Sequence, residues 1–281
     1  GPFGGRGAQI EGEFALSAGQ QLKILVGQQG ACCAGAGTNQ YGGGGGSFVT
    51  DNNNSPFVVA GGGGGSWAIT HTTTTDASLT TSGNTAANGS PNGAGGINGQ
   101  GGASASSGDG GGGLLGNGLG TAGGFAFVNG GNGGTATNGG TGGFGGGGGG
   151  SSWNNRRGGG GGGYSGGGGS HGSTSLNCEG GGGGSFNSGI NPLNIAGVGL
   201  GDGTVIIESL SPPAPWNPGV AGIIGAGLND YYLYPFSQTI ANFQATVRNF
   251  GFDTISGTLV NFEVLNTPYF AAQFIDTLYP D

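Results

Sequence analysis

Apolar residues recur at every second position near the start of the chain: Ile10, Phe14 and Leu16 within residues 8–18, then Leu22, Ile24 and Val26 after the break at Gly19-Gln20. A period of two sends successive side chains to opposite faces of an extended backbone, so this stretch predicts two strands joined as a hairpin. Residues 47–50 and 56–60, rich in aromatic and β-branched side chains, predict a second pair around the polar turn Asp51-Asn52-Asn53-Asn54-Ser55. Residues 66–70 predict a fifth strand, and Gly203-Thr204-Val205-Ile206-Ile207-Glu208 a closing one. No helical period of 3.6 is visible anywhere. The pattern predicts an all-β chain.

Between these strands the pattern gives way to glycine. Residues 72–140 are mostly Thr, Ser, Asn, Ala and Gly, with Leu114, Leu115, Phe125, Phe127 and Val128 as the chief bulky side chains, and read as a long polar insertion. Unbroken glycine runs occupy 145–150, 158–163, 166–169 and 180–184. Of 281 residues, 79 are glycine and only 6% are charged, far from the roughly 7% glycine and 25% charge of an average soluble domain. Collagen needs glycine at every third position and abundant proline; here the glycines are contiguous and there are 11 prolines. With 15 Phe, 7 Tyr and 3 Trp the chain also lacks the composition of a disordered one.

Two readings of the runs compete. As Gly/Ser linkers they would be flexible coil. As polyglycine II rods, with three residues per turn and every amide pointing outward, they would pack side by side and pair their backbone groups with neighbours. The punctuation favours order. GGGGGSF ends at Phe48 and again at Phe186, GGGGGSW at Trp67, GGGGGGSSW at Trp153 and GGGGGGY at Tyr164. An aromatic at the end of each run can cover the rim of a bundle or plug it into an adjoining sheet, burying about 150–250 Å² apiece. A linker has no use for such a pattern.

Charge and motif chemistry narrow the function classes. The net charge is −8 with five basic residues, too few to assemble a phosphate-binding patch, so no nucleic-acid partner is expected. The one lysine, Lys23, lies in a predicted strand and follows no phosphate loop; with no βαβ unit, no nucleotide cofactor is expected either. His71 and His171 lack an elbow motif or an orienting third group, and read as polar loop residues. Asp109, Glu179 and Asp202 stand singly among glycines, which suits turns better than calcium loops. No catalytic, cofactor or metal site is expected, and no stretch is long and apolar enough to span a bilayer. The three cysteines leave two options: three thiols, or a disulfide from Cys32 or Cys33 to Cys178, because vicinal cysteines rarely bond each other. For partner contact the best candidate is Trp153-Asn154-Asn155-Arg156-Arg157 with Tyr164, which joins aromatic, amide and guanidinium groups between two six-glycine runs. If those runs are antiparallel rods, this segment is the tip of a hairpin; the alternative is that Trp153 caps the bundle.

Several blocks in order carry a resemblance. These are Gly4-Gly5-Arg6-Gly7-Ala8 with Leu16-Ser17-Ala18-Gly19-Gln20-Gln21-Leu22-Lys23-Ile24-Leu25-Val26-Gly27-Gln28-Gln29-Gly30, then GGGGGSFV to Val49 with Pro56-Phe57-Val58-Val59-Ala60, and last GGGGGSFNSG to Gly189 with residues 201–207. They resemble the glycine-rich domain of anaplastic lymphoma kinase receptor ectodomains and of many bacterial surface proteins. The resemblance implies a jelly-roll-like β-sandwich with an inserted polyglycine II helix bundle, and recognition or structural roles instead of catalysis. Certain bacteriophage tail-tip adhesins are similar in stacking such helices beneath specificity loops.

After the Pro-rich joint at 211–218 the composition turns ordinary. Residues 240–251 and 254–265 predict two alternating strands around a Gly-Phe-Asp turn. They resemble the immunoglobulin-like repeats of large secreted bacterial proteins of the Bacteroidetes type, and residues 219–281 are fewer than the roughly 100 of a complete sandwich of that class. The expected organisation is a glycine-rich domain over 1–210, a linker over 211–218 and a partial immunoglobulin-like domain over 219–281. The expected function is that of an extracellular surface adhesin or scaffold, part of a longer secreted protein, and not an enzyme. The alternative is a ligand-recognition domain of receptor or tail-tip type. Expected partners are a surface glycan or protein ligand, or neighbouring domains of the same long chain.

Overall fold

β-branched and aromatic residues on alternate positions build the strands in a computed structural model of the chain. It describes residues 4–17, 19–32, 40–66, 73–105, 108–136, 139–150, 157–172, 178–208, 210, 218–224, 244–249, 254–263 and 270–279. The architecture is all-β, and a single 3-10 turn, Phe127–Asn129, is the helical element among these residues. The chain divides into two compact units, Gly1–Ile206 and Ile207–Asp281. The first holds β1 (Gly7–Glu13), β2 (Leu22–Leu25), β3 (Gln40–Tyr41), β4 (Ser47–Asp51), β5 (Pro56–Ala60), β6 (Arg157–Gly158), β7 (Phe186–Asn187) and β8 (Ile190–Gly199).

A four-stranded antiparallel sheet, in the order β2-β4-β5-β7, anchors this unit. The β4–β5 hairpin forms as expected, and its turn chemistry is explicit. Asp51 accepts the N–H groups of Asn53 and Ser55, each at 2.8 Å, while Asn54 takes a positive φ of 66°. Lys23 on β2 then donates from Nζ to the Asn52 carbonyl and to Asn54 Oδ1, tying the turn to the neighbouring strand. The first expected hairpin does not form. β1 pairs with the distant β8 and β2 pairs with β4, so the segment between β1 and β2 is a connection between sheets. Local alternation marks which residues are extended, not which partner they choose.

The glycine runs pack beside this sheet as a hydrogen-bonded array. Along residues 42–46 the N–H groups donate in turn to Ala31, Gly148, Gly63, Gln28 and Gly145. The first and fourth acceptors lie on one neighbouring run and the second and fifth on another, so the donors rotate round their neighbours every three residues. Along residues 159–164 the acceptors are Tyr41, Asp109, Gly181, Gly44, Gly112 and Gly184. Each neighbour is revisited three residues on, with its own number raised by three, so these three neighbours run parallel to the central run. Three more runs donate to it, through Gly62, Gly148 and Gly167. Residues 157–163 are accordingly buried throughout. Runs from 72–140 belong to the same array, for example through Gly96 to Gly166, Gly102 to Gly111 and Gly134 to Gly147.

Only glycine fits the centre. A methyl carbon placed on Gly161 would strike the Gly62 carbonyl oxygen and lie 2.9 Å from the Gly183 nitrogen. The side-chain core is correspondingly small and sits where the array meets the sheet: Leu25, Phe48, Val59 and Leu114 are buried together, with Phe127, Tyr164 and Phe186 against them. Phe127 stacks on Phe48 at 4.9 Å and Tyr164 on Phe186 at 5.0 Å. Three run-ending aromatics, Phe48, Tyr164 and Phe186, thus plug the array into the sheet; Trp67 and Trp153 lie outside the described residues.

One expected strand is corrected, and another lies largely outside the described residues. Residues 203–208 form no strand: Gly203 donates to the Gly27 carbonyl at 2.8 Å, but the backbone beyond it makes no ladder and Ile206 is 77% exposed. Of residues 66–70, Ser66 alone is described, and it is buried outside any strand. In the second unit, β9 (Pro218–Ile224) pairs antiparallel with β10 (Gln244–Asn249), and β11 (Ile255–Glu263) with β12 (Phe270–Leu278). The predicted strands exist, but β10 and β11 do not pair with each other across the Gly-Phe-Asp turn. β10 pairs instead with the seven-residue β9, and β11 with the nine-residue β12.

Candidate functional site

The directions of the runs bring many of their ends together at the end of the array opposite the sheet. Residues 61–65 leave β5 for this far end, and residues 42–46 return from it to β4. Run by run, the residues that flank 33–39, 67–72, 106–107, 137–138, 151–156 and 173–177 meet there. Backbone bridges record the meeting: Cys32 with Tyr41, Gly108 with Gly150, Gly140 with Gly150, and Ala87 with Glu179. β3 and β6 pair in parallel at the same level, Gln40 beside Arg157. The reversal over 87–92, with its cis Ser90-Pro91 peptide and Asn88 at φ 61°, also lies there. In contrast, the turn at 120–123 stops short of this end, held by Asp109 Oδ2 accepting the Ala122 N–H at 3.0 Å.

Polar side chains are buried just beneath this end. Arg157 is 9% exposed, Glu179 2%, and Ser66 and Ser170 are covered completely. Ser170 donates no side-chain chemistry outward: its Oγ accepts the Gly158 N–H at 2.8 Å while its N–H reaches the Gly158 carbonyl at 3.0 Å. Burial pulls the Arg157 guanidinium below its ordinary pKa, and the nearby Cys178 sulfur acts in the opposite direction. Cys178, itself fully buried, donates to the Asn88 carbonyl at 3.4 Å. Burial also pushes the Asp109 carboxyl up, against the lowering effect of the Ala122 N–H.

The sequence candidates fare unequally in this geometry. Trp153, Asn154, Asn155 and Arg156 lie outside the described residues, although Gly150 and Arg157, on either side of their stretch, stand at the far end on antiparallel runs. Arg157 is an interior residue and offers little surface to a partner. Tyr164 is not beside it: seven residues along an extended run place it roughly 20 Å away, stacked on Phe186 at the sheet end. The patch as drawn from sequence is therefore split. A second correction concerns the cysteines. Cys32 is disulfide-bonded, whereas Cys178 is a buried thiol, so neither three thiols nor a bridge to Cys178 describes the chain; Cys33 lies outside the described residues. Cys178 is packed in the interior against the Asn88 carbonyl.

The carboxylates of Asp109 and Asp202 serve the backbone, while Glu179 is placed by its own backbone bridge. Asp109 fixes the 120–123 turn, Asp202 accepts the Gln29 N–H at 2.9 Å, and Glu179 sits in the bridge to Ala87. Sequence reasoning missed the apposition of Arg157 and Cys178, because residues 21 apart on separate runs become neighbours only through the packing of rods. Among the described residues no group of three or more His, Cys, Asp or Glu is placed to hold a metal ion, and no helix is long and apolar enough to cross a membrane. No protein-family model matches the chain, and no curated protein matches it.

Proposed function

We propose that this chain is a non-catalytic extracellular adhesin or scaffold domain, part of a longer cell-surface protein, in which a polyglycine II bundle rigidly carries chain reversals away from a β-sheet base. The supporting observation is the period-three donation along residues 42–46 and 159–164, with six neighbouring runs around the central one. A period of three is that of the polyproline II helix, whose outward amides suit lateral pairing. A disulfide at Cys32 supports an oxidising compartment, as on a cell surface. Amide hydrogen exchange over residues 145–150 and 157–169 tests the reading. A paired bundle makes these glycines exchange with the slow, global class of amides. Exchange at the unstructured-chain rate would make them spacers and end the scaffold reading.

A second reading, a ligand-recognition domain of receptor or phage tail-tip type, draws on a different observation: many run ends converge at one end while the aromatic plugs lie at the other. Its partner would be a surface glycan or protein, met at the far end. The two readings share the rigid bundle and differ in whether that end binds saturably.

A further inference from the structure

A cleft of about 250 Å³ opens at the sheet end, away from the gathered run ends, between the β1–β8 ribbon, the start of β7 and the turn over 79–81. Ile10, Leu79 and Phe186 supply apolar walls, while Thr80, Thr81 and Asn194 are among its polar lining. No charged side chain lines it. Its polar groups are unequally committed. Thr80 Oγ1 is bonded to Ser78 Oγ and reaches the Ser82 carbonyl. Asn194 Oδ1 accepts from Asn187 Nδ2 at 2.9 Å, which fixes the amide and leaves its NH2 group as the unused end. Neither that NH2 nor the Thr81 hydroxyl has a hydrogen-bond partner among the described residues.

We infer that this cleft is a binding subsite for one neutral pyranose ring of a glycan. The volume falls below the roughly 300–1,000 Å³ of drug-sized pockets, so the occupant is one ring or one side chain of something larger. A wholly aliphatic occupant would bury the Thr81 hydroxyl and the Asn194 amide without partners, which costs free energy. A hydroxylated ring satisfies both and lays its C–H face on Ile10, Leu79 and Phe186. An anionic sugar is disfavoured, because no cation lines the cleft and the chain carries a net charge of −8. The site does not depend on the proposed role of the far end.

The test is saturation-transfer difference NMR of the full chain with the methyl glycosides of glucose, galactose and mannose. At the efficiency of ordinary small ligands, one ring binds with a Kd on the order of 1 mM. Thr81→Val, isosteric and at an exposed position, and Asn194→Ala should each weaken binding about fivefold, the effect of one hydrogen bond. Both variants should keep the wild-type melting temperature and the slow exchange of residues 157–169, which separates loss of the site from loss of the scaffold. Absence of saturable signal with every glycoside would overturn the inference. So would a signal that both variants leave unchanged, or one displaced by leucinamide and strengthened by Thr81→Val, since that would identify an aliphatic side-chain pocket.

Discussion

Gly43 and Gly44 are adjacent in one run, yet adding a single methyl group should have opposite effects on them. At Gly43 the new carbon would overlap the Gly160 carbonyl, lying 2.5 Å from its carbon, where ordinary contacts begin at 3.4 Å. Relief requires the two runs to separate by about 1 Å. That separation strains the bonds that join these two runs, from the Gly159 N–H to the Tyr41 carbonyl at 3.0 Å and from the Gly162 N–H to the Gly44 carbonyl at 2.9 Å. Overpacking costs about 1–3 kcal/mol and each weakened backbone bond about 1 kcal/mol, so Gly43→Ala should destabilise by roughly 3–5 kcal/mol. At Gly44 the same carbon meets its nearest atom, the Gly63 carbonyl oxygen, at 3.5 Å, and φ is not positive. There Gly→Ala only restricts the unfolded chain, a gain of about 0.4–1 kcal/mol. Thermal unfolding followed by exchange of the run amides separates the cases. For a unit of this size about 2–4 °C accompanies each kcal/mol, so Gly43→Ala should melt about 10 °C lower while Gly44→Ala melts no lower than the parent. Equal melting temperatures for the two variants would refute the array, because a flexible spacer cannot tell one glycine from the next.

Asp109→Asn should stabilise the protein at neutral pH. Burial raises the folded carboxyl above its ordinary 3.8, so the ionised form costs stability that disappears as pH falls through the folded value. The amide keeps an acceptor for the Ala122 N–H and removes the charge. Denaturant unfolding should show the gain at pH 7 and none at pH 3; a loss at pH 7 would mean the carboxylate is stabilised by groups not seen around it. Tyr164→Ala should cost about 3 kcal/mol or more by emptying the stack on Phe186 without changing any contact at the far end. Trp153→Ala should do the reverse if the recognition reading holds, with melting unchanged and ligand capture on cells or glycan arrays lost.

How much was legible follows from where information resides in such a chain. The β4–β5 hairpin could be read because its turn residues, Asp51 and Asn54, carry their own geometry. The plugs at Phe48, Tyr164 and Phe186 could be read because an aromatic ending a glycine run is rare in a spacer. Pairing could not be read. β1 crosses the whole unit to meet β8, and β10 and β11 each choose a partner other than the adjacent strand, since alternation specifies a face and not a neighbour. Residues 72–140 looked like an insertion for the same reason: side chains that report burial are nearly absent, and membership of the array is written in backbone bonds. The split of Arg157 from Tyr164 was legible in principle, because seven extended residues cannot bring two side chains together.

A lattice without side chains also explains why polar residues are buried where they are. Glycine loses more conformational freedom on ordering than any other residue and adds no apolar burial, so the array coheres only if its amides are paired on every side. Pairing is complete where six runs surround a seventh and fails wherever a run ends. At the sheet end the aromatic plugs take over, and Ser185 fills one gap by accepting the Gly61 N–H on its Oγ at 3.1 Å. Toward the far end short polar side chains take that place: Ser170 on Gly158 and, just short of that end, Asp109 on Ala122. Buried serine and aspartate thus mark the limits of the lattice.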